Sequence, residues 1–150
     1  MGARELGRIG SASSPILFVD SSGWIAVNDP RDSLHKKAIS FYRNLALKAH
    51  PRLITTNLVI AETHAALLRA GGREQALKFL TLLEESSRVG VIHSNPELEA
   101  EALGIIIRFD DQNLSYCDAV SFAAMEKLGV RNAFAFDSNF ETAGFRRLPG

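Results

Sequence analysis

The stretch Ile16-Leu17-Phe18-Val19-Asp20, followed by Ser21-Ser22-Gly23-Trp24, decides how the chain is read. Apolar residues in succession, without alternation, fit a strand buried on both faces, as in the middle of a parallel α/β sheet. Asp20 closes that run. Ligands of open α/β sheets sit in the crevice beyond the carboxyl ends of the strands, so a carboxylate there is a site candidate. Asp and Ser also cap helices, and capping alone accounts for Asp20 or Ser21. A chemical reading needs other acids arriving at the same crevice.

The surrounding chain sets the bounds. Its 150 residues are enough for one domain with a hydrophobic core that needs no disulfide or metal staple. Residues 1–14 contain Gly2, Gly7, Gly10 and a Ser-rich end without periodicity, so they read as a flexible tail ahead of a domain over 15–150. They also lack the apolar core of a secretory signal, and no apolar run approaches the length of a membrane span. A soluble cytoplasmic protein without membrane contact is expected. Cys117 is the only cysteine, which leaves no intramolecular disulfide and no zinc-knuckle spacing; it reads as a core residue. Lys plus Arg equals Asp plus Glu at 17 each, without the basic excess of a non-specific nucleic-acid binder. If four acids gather in one pocket, however, the remaining surface holds a surplus of four positive charges, suited to weak contact with a phosphate backbone.

Further along, strands alternate with helices. A short helix is expected over 22–27, then one starting at Asp32 or Ser33 with Leu34, Ala38, Phe41, Tyr42 and Leu45 on its apolar face. Leu53-Ile54-Thr55 is the second strand. Helices over 57–70 and 73–87, joined at Gly71-Gly72, form a hairpin whose apolar content could also serve a homodimer. Residues 89–92 are the third strand, and Asn95-Pro96 opens the next helix. Glu97, Glu99 and Glu101 near its start are explained by the helix dipole and by solvent. After the turn holding Asp110 and Asp111 comes a helix over 115–128, stopped by Gly129. Strands over 133–136 and 145–148 complete a three-layer α/β/α fold with a central, mostly parallel sheet of four to five strands.

Within this frame three further acids stand out. Asp137 repeats the opening pattern, an apolar strand closed by Asp, so Asp20 and Asp137 belong to the same edge of the sheet. Glu62 has Leu58, Val59, Ala65 and Ala66 as its helical neighbours, so it either faces protein or, as an edge glutamate, bends out to solvent. Asp118 fits a capping box with Ser115, yet its helix is apolar almost all round, and Ser115, Asp118 and Ser121 form one narrow polar stripe. Carboxylates from separate segments repel unless a cation holds them, and an oxygen-only set suits Mg²⁺ or Mn²⁺. His64 lies off another side of the Glu62 helix, so zinc is not expected.

The arrangement resembles a PIN domain, most closely a free-standing one of the VapC ribonuclease-toxin type. The resemblance runs from Ile16 to Leu148 and is carried by Phe-Val-Asp20-Ser-Ser, Thr-Asn-Leu-Val-Ile-Ala-Glu62, Leu-Ser-Tyr-Cys-Asp118-Ala and Ala-Phe-Asp137-Ser-Asn-Phe140. It implies that Asp20, Glu62, Asp118 and Asp137 are the acidic quartet, with Asp20, Asp118 and Asp137 the principal Mg²⁺ ligands and Mn²⁺ a substitute. It further implies hydrolysis of RNA by a metal-activated water, leaving a 5′-phosphate and a 3′-hydroxyl, and a cognate antitoxin as partner. Glu62 would complete the ligand set or orient the water; Ser22 and Asn139 would support the ligands or touch phosphate. Related toxins often carry Arg-His after the fourth acid where this chain has Ser138-Asn139, a difference that bears on substrate grip.

Other classes compete with this reading. A receiver-like signalling module also gathers acids at strand ends, but needs a lysine at the end of its last strand, and no Lys follows Lys127. A hydrolase with Asp20 as nucleophile calls for a second Asp two residues on, where Ser22 stands. A PIN-like module that binds RNA or protein without cutting is the remaining alternative.

Overall fold

The structure is a computed structural model that describes residues 15–48 and 50–150. The tail expected over 1–14 lies outside the described residues. Strand β1 (Ile16–Val19) is the centre of the sheet: Phe18 and Val19 are fully buried, as an apolar run packed on both faces requires. It pairs in parallel with β2 (Arg52–Thr56) on one side and β4 (Asn132–Phe134) on the other. Strand β3 (Val89–Ile92) adds to β2 and β5 (Arg146–Leu148) to β4, so all five described strands are parallel, in the order β3-β2-β1-β4-β5.

That order contains a switch. From β1 the chain builds outward through β2 to β3, then returns across the sheet to place β4 on the other flank of β1. Connections diverge at the carboxyl ends of β1 and β4, and the crevice opened there is where such sheets bind ligands. Asp20 follows β1, and Asp137 lies three residues beyond β4.

Seven helices are described. The first two are α1 (Ser21–Asn28) and α2 (His35–Lys48). Helix α2 begins two or three residues later than its periodicity suggests, because Asp32 accepts from the Leu34 amide at 2.8 Å and folds that stretch into a turn. Helices α3 (Asn57–Gly71) and α4 (Arg73–Glu85) form the expected hairpin through Gly72, whose φ of 85° suits a residue without Cβ. Asn95 caps α5 (Pro96–Arg108), and α6 (Tyr116–Leu128) runs from the Ser115 capping box to left-handed Gly129. Asp110 and Asp111 are exposed in the turn between them.

Helix α7 (Asn139–Thr142) has no counterpart in the sequence reading, since a single turn is too short to show helical periodicity. What holds it is Phe140, fully buried, with its ring 6.2 Å from Phe18 and 4.9 Å edge-on from Phe122. Full burial of such a side chain contributes about 1.5–3 kcal/mol. This anchor fixes the segment that carries Asp137 and Asn139. Strand β4 ends at Phe134, short of the expected Phe136, because the Phe136 amide turns to the Ser22 hydroxyl at 3.0 Å instead of a neighbouring strand.

Candidate active site

Asp20 caps α1 by accepting from the Ser22 amide at 3.2 Å, and it accepts a shorter bond from Ser22 Oγ at 2.7 Å. Both bonds end on Oδ2. Oδ1 is buried and, among the described residues, is the one buried side-chain nitrogen or oxygen without a hydrogen-bond partner. An ionised oxygen so placed has lost its water and gained nothing in return. Burial accordingly pushes the Asp20 carboxyl up from 3.8 to about 6; the Ser22 hydroxyl opposes that rise and the Asp118 charge adds to it.

Asp118 sits in the first turn of α6. Its amide donates to Ser115 Oγ at 3.0 Å, and its Oδ2 receives the Ser115 amide at 3.4 Å, which completes the capping box. Capping and membership of the crevice are compatible: burial, then the Asp137 charge, holds this carboxyl above the usual range. Asn139 spans the two acids, its side chain donating to Asp118 Oδ2 at 3.5 Å and its amide to Asp137 Oδ1 at 2.9 Å. Ser22 links the other pair of elements, since it donates to Asp20 while accepting from Phe136 beyond β4.

Of the two settings its helix leaves open, Glu62 takes the solvent-facing one. It is exposed on α3 rather than turned into the interior, and its Oε1 accepts from Ser21 Oγ at 3.1 Å. The Cys117 thiol lies beside Glu62; burial first, then Glu62, Asp20 and Asp118, push that thiol well above its ordinary 9.0. Cys117, half-buried and packed against the core, thus also borders the acids. Ser121, expected on the polar stripe, turns its hydroxyl back to Cys117 O at 2.9 Å within α6. Ser21 and Cys117 are the site residues that sequence reasoning passed over. The available signal was adjacency, for each directly neighbours one of the acids.

Asp20 interacts with Asp118, Asp118 with Asp137, and Cys117 with Glu62, Asp20 and Asp118. With the Ser21 and Asn139 hydrogen bonds, these interactions bring the four acids to one end of the sheet. Carboxylate oxygens, one of them buried and unpaired, are the donor set that a hard divalent cation prefers. As the side chains stand, no three His, Cys, Asp or Glu among the described residues are close enough to enclose an ion. Like charges oppose a tighter approach on their own.

Fold and crevice together define a parallel α/β domain with an acidic centre at the switch point of its sheet. The chain belongs to the PIN-domain family, whose sequence profile matches residues 17–146. It is 36% identical over 130 residues to the 23S rRNA-specific endonuclease VapC20 of Mycobacterium tuberculosis, a match covering 87% of this chain and 95% of the relative. The crystal structure of that protein, described as a sarcin-ricin-loop-cleaving toxin, superposes with a TM-score of 0.77 at 38% identity over the same shares. FitAcB from Neisseria gonorrhoeae shares the fold, with a TM-score of 0.59 at 13% identity, covering 88% of this chain and 95% of its own. PAE2754 from Pyrobaculum aerophilum does so with 0.58 at 15%, covering 93% of each.

The PIN-domain and VapC-type resemblance drawn from the motifs is correct, as is the assignment to a nuclease class of enzyme. The receiver-like alternative falls with it. Receiver sheets run 2-1-3-4-5, whereas this one runs 3-2-1-4-5. Among the described residues no helix is long and apolar enough to cross a membrane.

Proposed function

We infer that this chain is a divalent-cation-dependent endoribonuclease and the toxin of a toxin–antitoxin pair. The observation that carries this reading is the gathering of Asp20, Glu62, Asp118 and Asp137 at the sheet's switch point, with Asp20 Oδ1 buried and unpaired. Asp20, Asp118 and Asp137 are the principal ligands for Mg²⁺, with Mn²⁺ as substitute, and Glu62 completes the set. A cation bound there lowers the pKa of water and neutralises charge that builds on the phosphoryl oxygens. The protein's part is positioning. Ser22 fixes one oxygen of Asp20 and leaves the other unpaired, while Asn139 sets Asp118 against Asp137. No side-chain nucleophile is needed for hydrolysis of a phosphodiester by water.

The likeness to VapC20 makes the sarcin-ricin loop of 23S rRNA the first RNA to test. Purified protein is expected to cut single-stranded RNA with Mg²⁺ or Mn²⁺ and not with EDTA. Asp20→Asn and Asp118→Asn are expected to lose cleavage while keeping the wild-type circular dichroism spectrum. Full activity in either variant would remove that residue from the site. Expression should arrest growth, and co-expression of an antitoxin whose peptide covers the acidic crevice should relieve it. Harmless expression of active enzyme counts against the toxin role. A homodimer through the α3–α4 hairpin belongs to the same reading, since Leu68, Leu77 and Leu82 stay exposed there. Sedimentation of a monomer at working concentration would refute it.

A further inference from the structure

Glu62 is held differently from the other acids. Asp20, Asp118 and Asp137 are short side chains tied to backbone amides of their own turns, those of Ser22, Ser115 and Asn139. Glu62 has a longer, more flexible side chain, lies within α3 and is exposed. Its carboxylate is met from two other walls of the crevice: Ser21, buried at the start of α1, donates to it at 3.1 Å, and the Cys117 side chain of α6 lies close enough to feel its charge. We infer that Ser21 and Cys117 are positioning residues, a pair of neutral donors that hold the Glu62 carboxylate over the acidic crevice. The inference rests on the cation-dependent nuclease reading above and adds to it the residues that make Glu62 a usable ligand.

The choice of donors has a physical reason. A lysine or arginine in either place would orient Glu62 more strongly, but its charge would offset the carboxylate's and oppose a cation. A hydroxyl and a thiol direct the lone pairs and leave the negative charge available. Partners that orient a ligand without touching the ion are known to matter at the level of about 10- to 100-fold in metal affinity or activity. Ser21 and Cys117 also lie where α1 and α6 pack against α3, so a purely structural role is the competing account.

Mn²⁺ binding to the RNA-free protein, measured by calorimetry, separates the two. Ser21→Ala with Cys117→Ala is expected to weaken Mn²⁺ binding about tenfold and to raise the half-saturating Mg²⁺ for RNA cleavage by a similar factor. Ser21→Thr and Cys117→Ser keep a hydroxyl donor and are expected to bind as the wild type does. A double alanine variant that binds Mn²⁺ with wild-type affinity overturns the inference, as does Cys117→Ser losing as much as Cys117→Ala. If the double variant does not fold, the single Cys117 pair decides by that same comparison. Wild-type protein that neither binds Mn²⁺ nor cuts RNA overturns the nuclease reading itself; one that does both, with variants indistinguishable from it, overturns only the role of Ser21 and Cys117.

Discussion

Asp20 is buried with one oxygen unpaired and its carboxyl pushed up to about 6, so ionising it works against the fold. Its folded value lies above the ordinary 3.8, which means the folded state holds the proton more tightly than the unfolded chain. The stability that follows is present below about pH 4 and is lost as pH rises through about 6; the interval between 3.8 and about 6 corresponds to at most about 3 kcal/mol. In EDTA, Asp20→Asn is therefore expected to unfold at a higher temperature than wild type at pH 7 and to show a flatter dependence between pH 4 and 7. A lower midpoint for the variant at pH 7 would contradict this account. The same residue also shows the limits of local reading. Asp20 and Asp118 were recognisable as caps and as acids, and both descriptions hold at once. Ser21 and Cys117 were legible only as a capping serine and an apolar helix residue, because their partner Glu62 lies on a different segment.

At the level of elements, close packing places the acids. A Cβ at Gly23 would lie 2.7 Å from Phe134 O, so α1 can approach β4 only with glycine there. Gly23→Ala is expected to destabilise the protein by about 1–3 kcal/mol, read from chemical denaturation, and to weaken cleavage by separating Asp20 from the Asp137 segment. Wild-type stability would show that the contact gives way without consequence. Removing the α6 cap with Ser115→Ala should cost about 1 kcal/mol in the same measurement and loosen Asp118. Helices with strong caps and a clear stripe, α5 and α6 above all, were readable almost to the residue. Helix α7 was not, because tertiary burial of Phe140 rather than any local pattern keeps it in place.

For the molecule as a whole, the proposed cation site would couple folding to cation binding, since the four carboxylates come from separate segments. A ligand present at about 100 times its dissociation constant stabilises the folded state by about 2.7 kcal/mol. Mg²⁺ or Mn²⁺ is thus expected to raise the thermal midpoint of the wild type, most strongly above pH 6 where Asp20 is ionised. Asp20→Asn combined with Asp118→Asn should remove the shift. Equal stabilisation of that double variant in a thermal scan would place the cation elsewhere on the protein.

By itself the sequence determined the class: an unbroken apolar strand closed by Asp, helices with legible caps and alternating strand and helix lengths leave little besides a parallel α/β sheet. These are local properties, written in neighbouring residues and in periodicities of a few positions. Tertiary structure alone decided the strand order, the outward setting of Glu62, the unpaired oxygen of Asp20 and the contacts of Ser21 and Cys117 with the acids. Each of those depends on which segments the packed core brings together across long stretches of chain, and no spacing within a single segment encodes it.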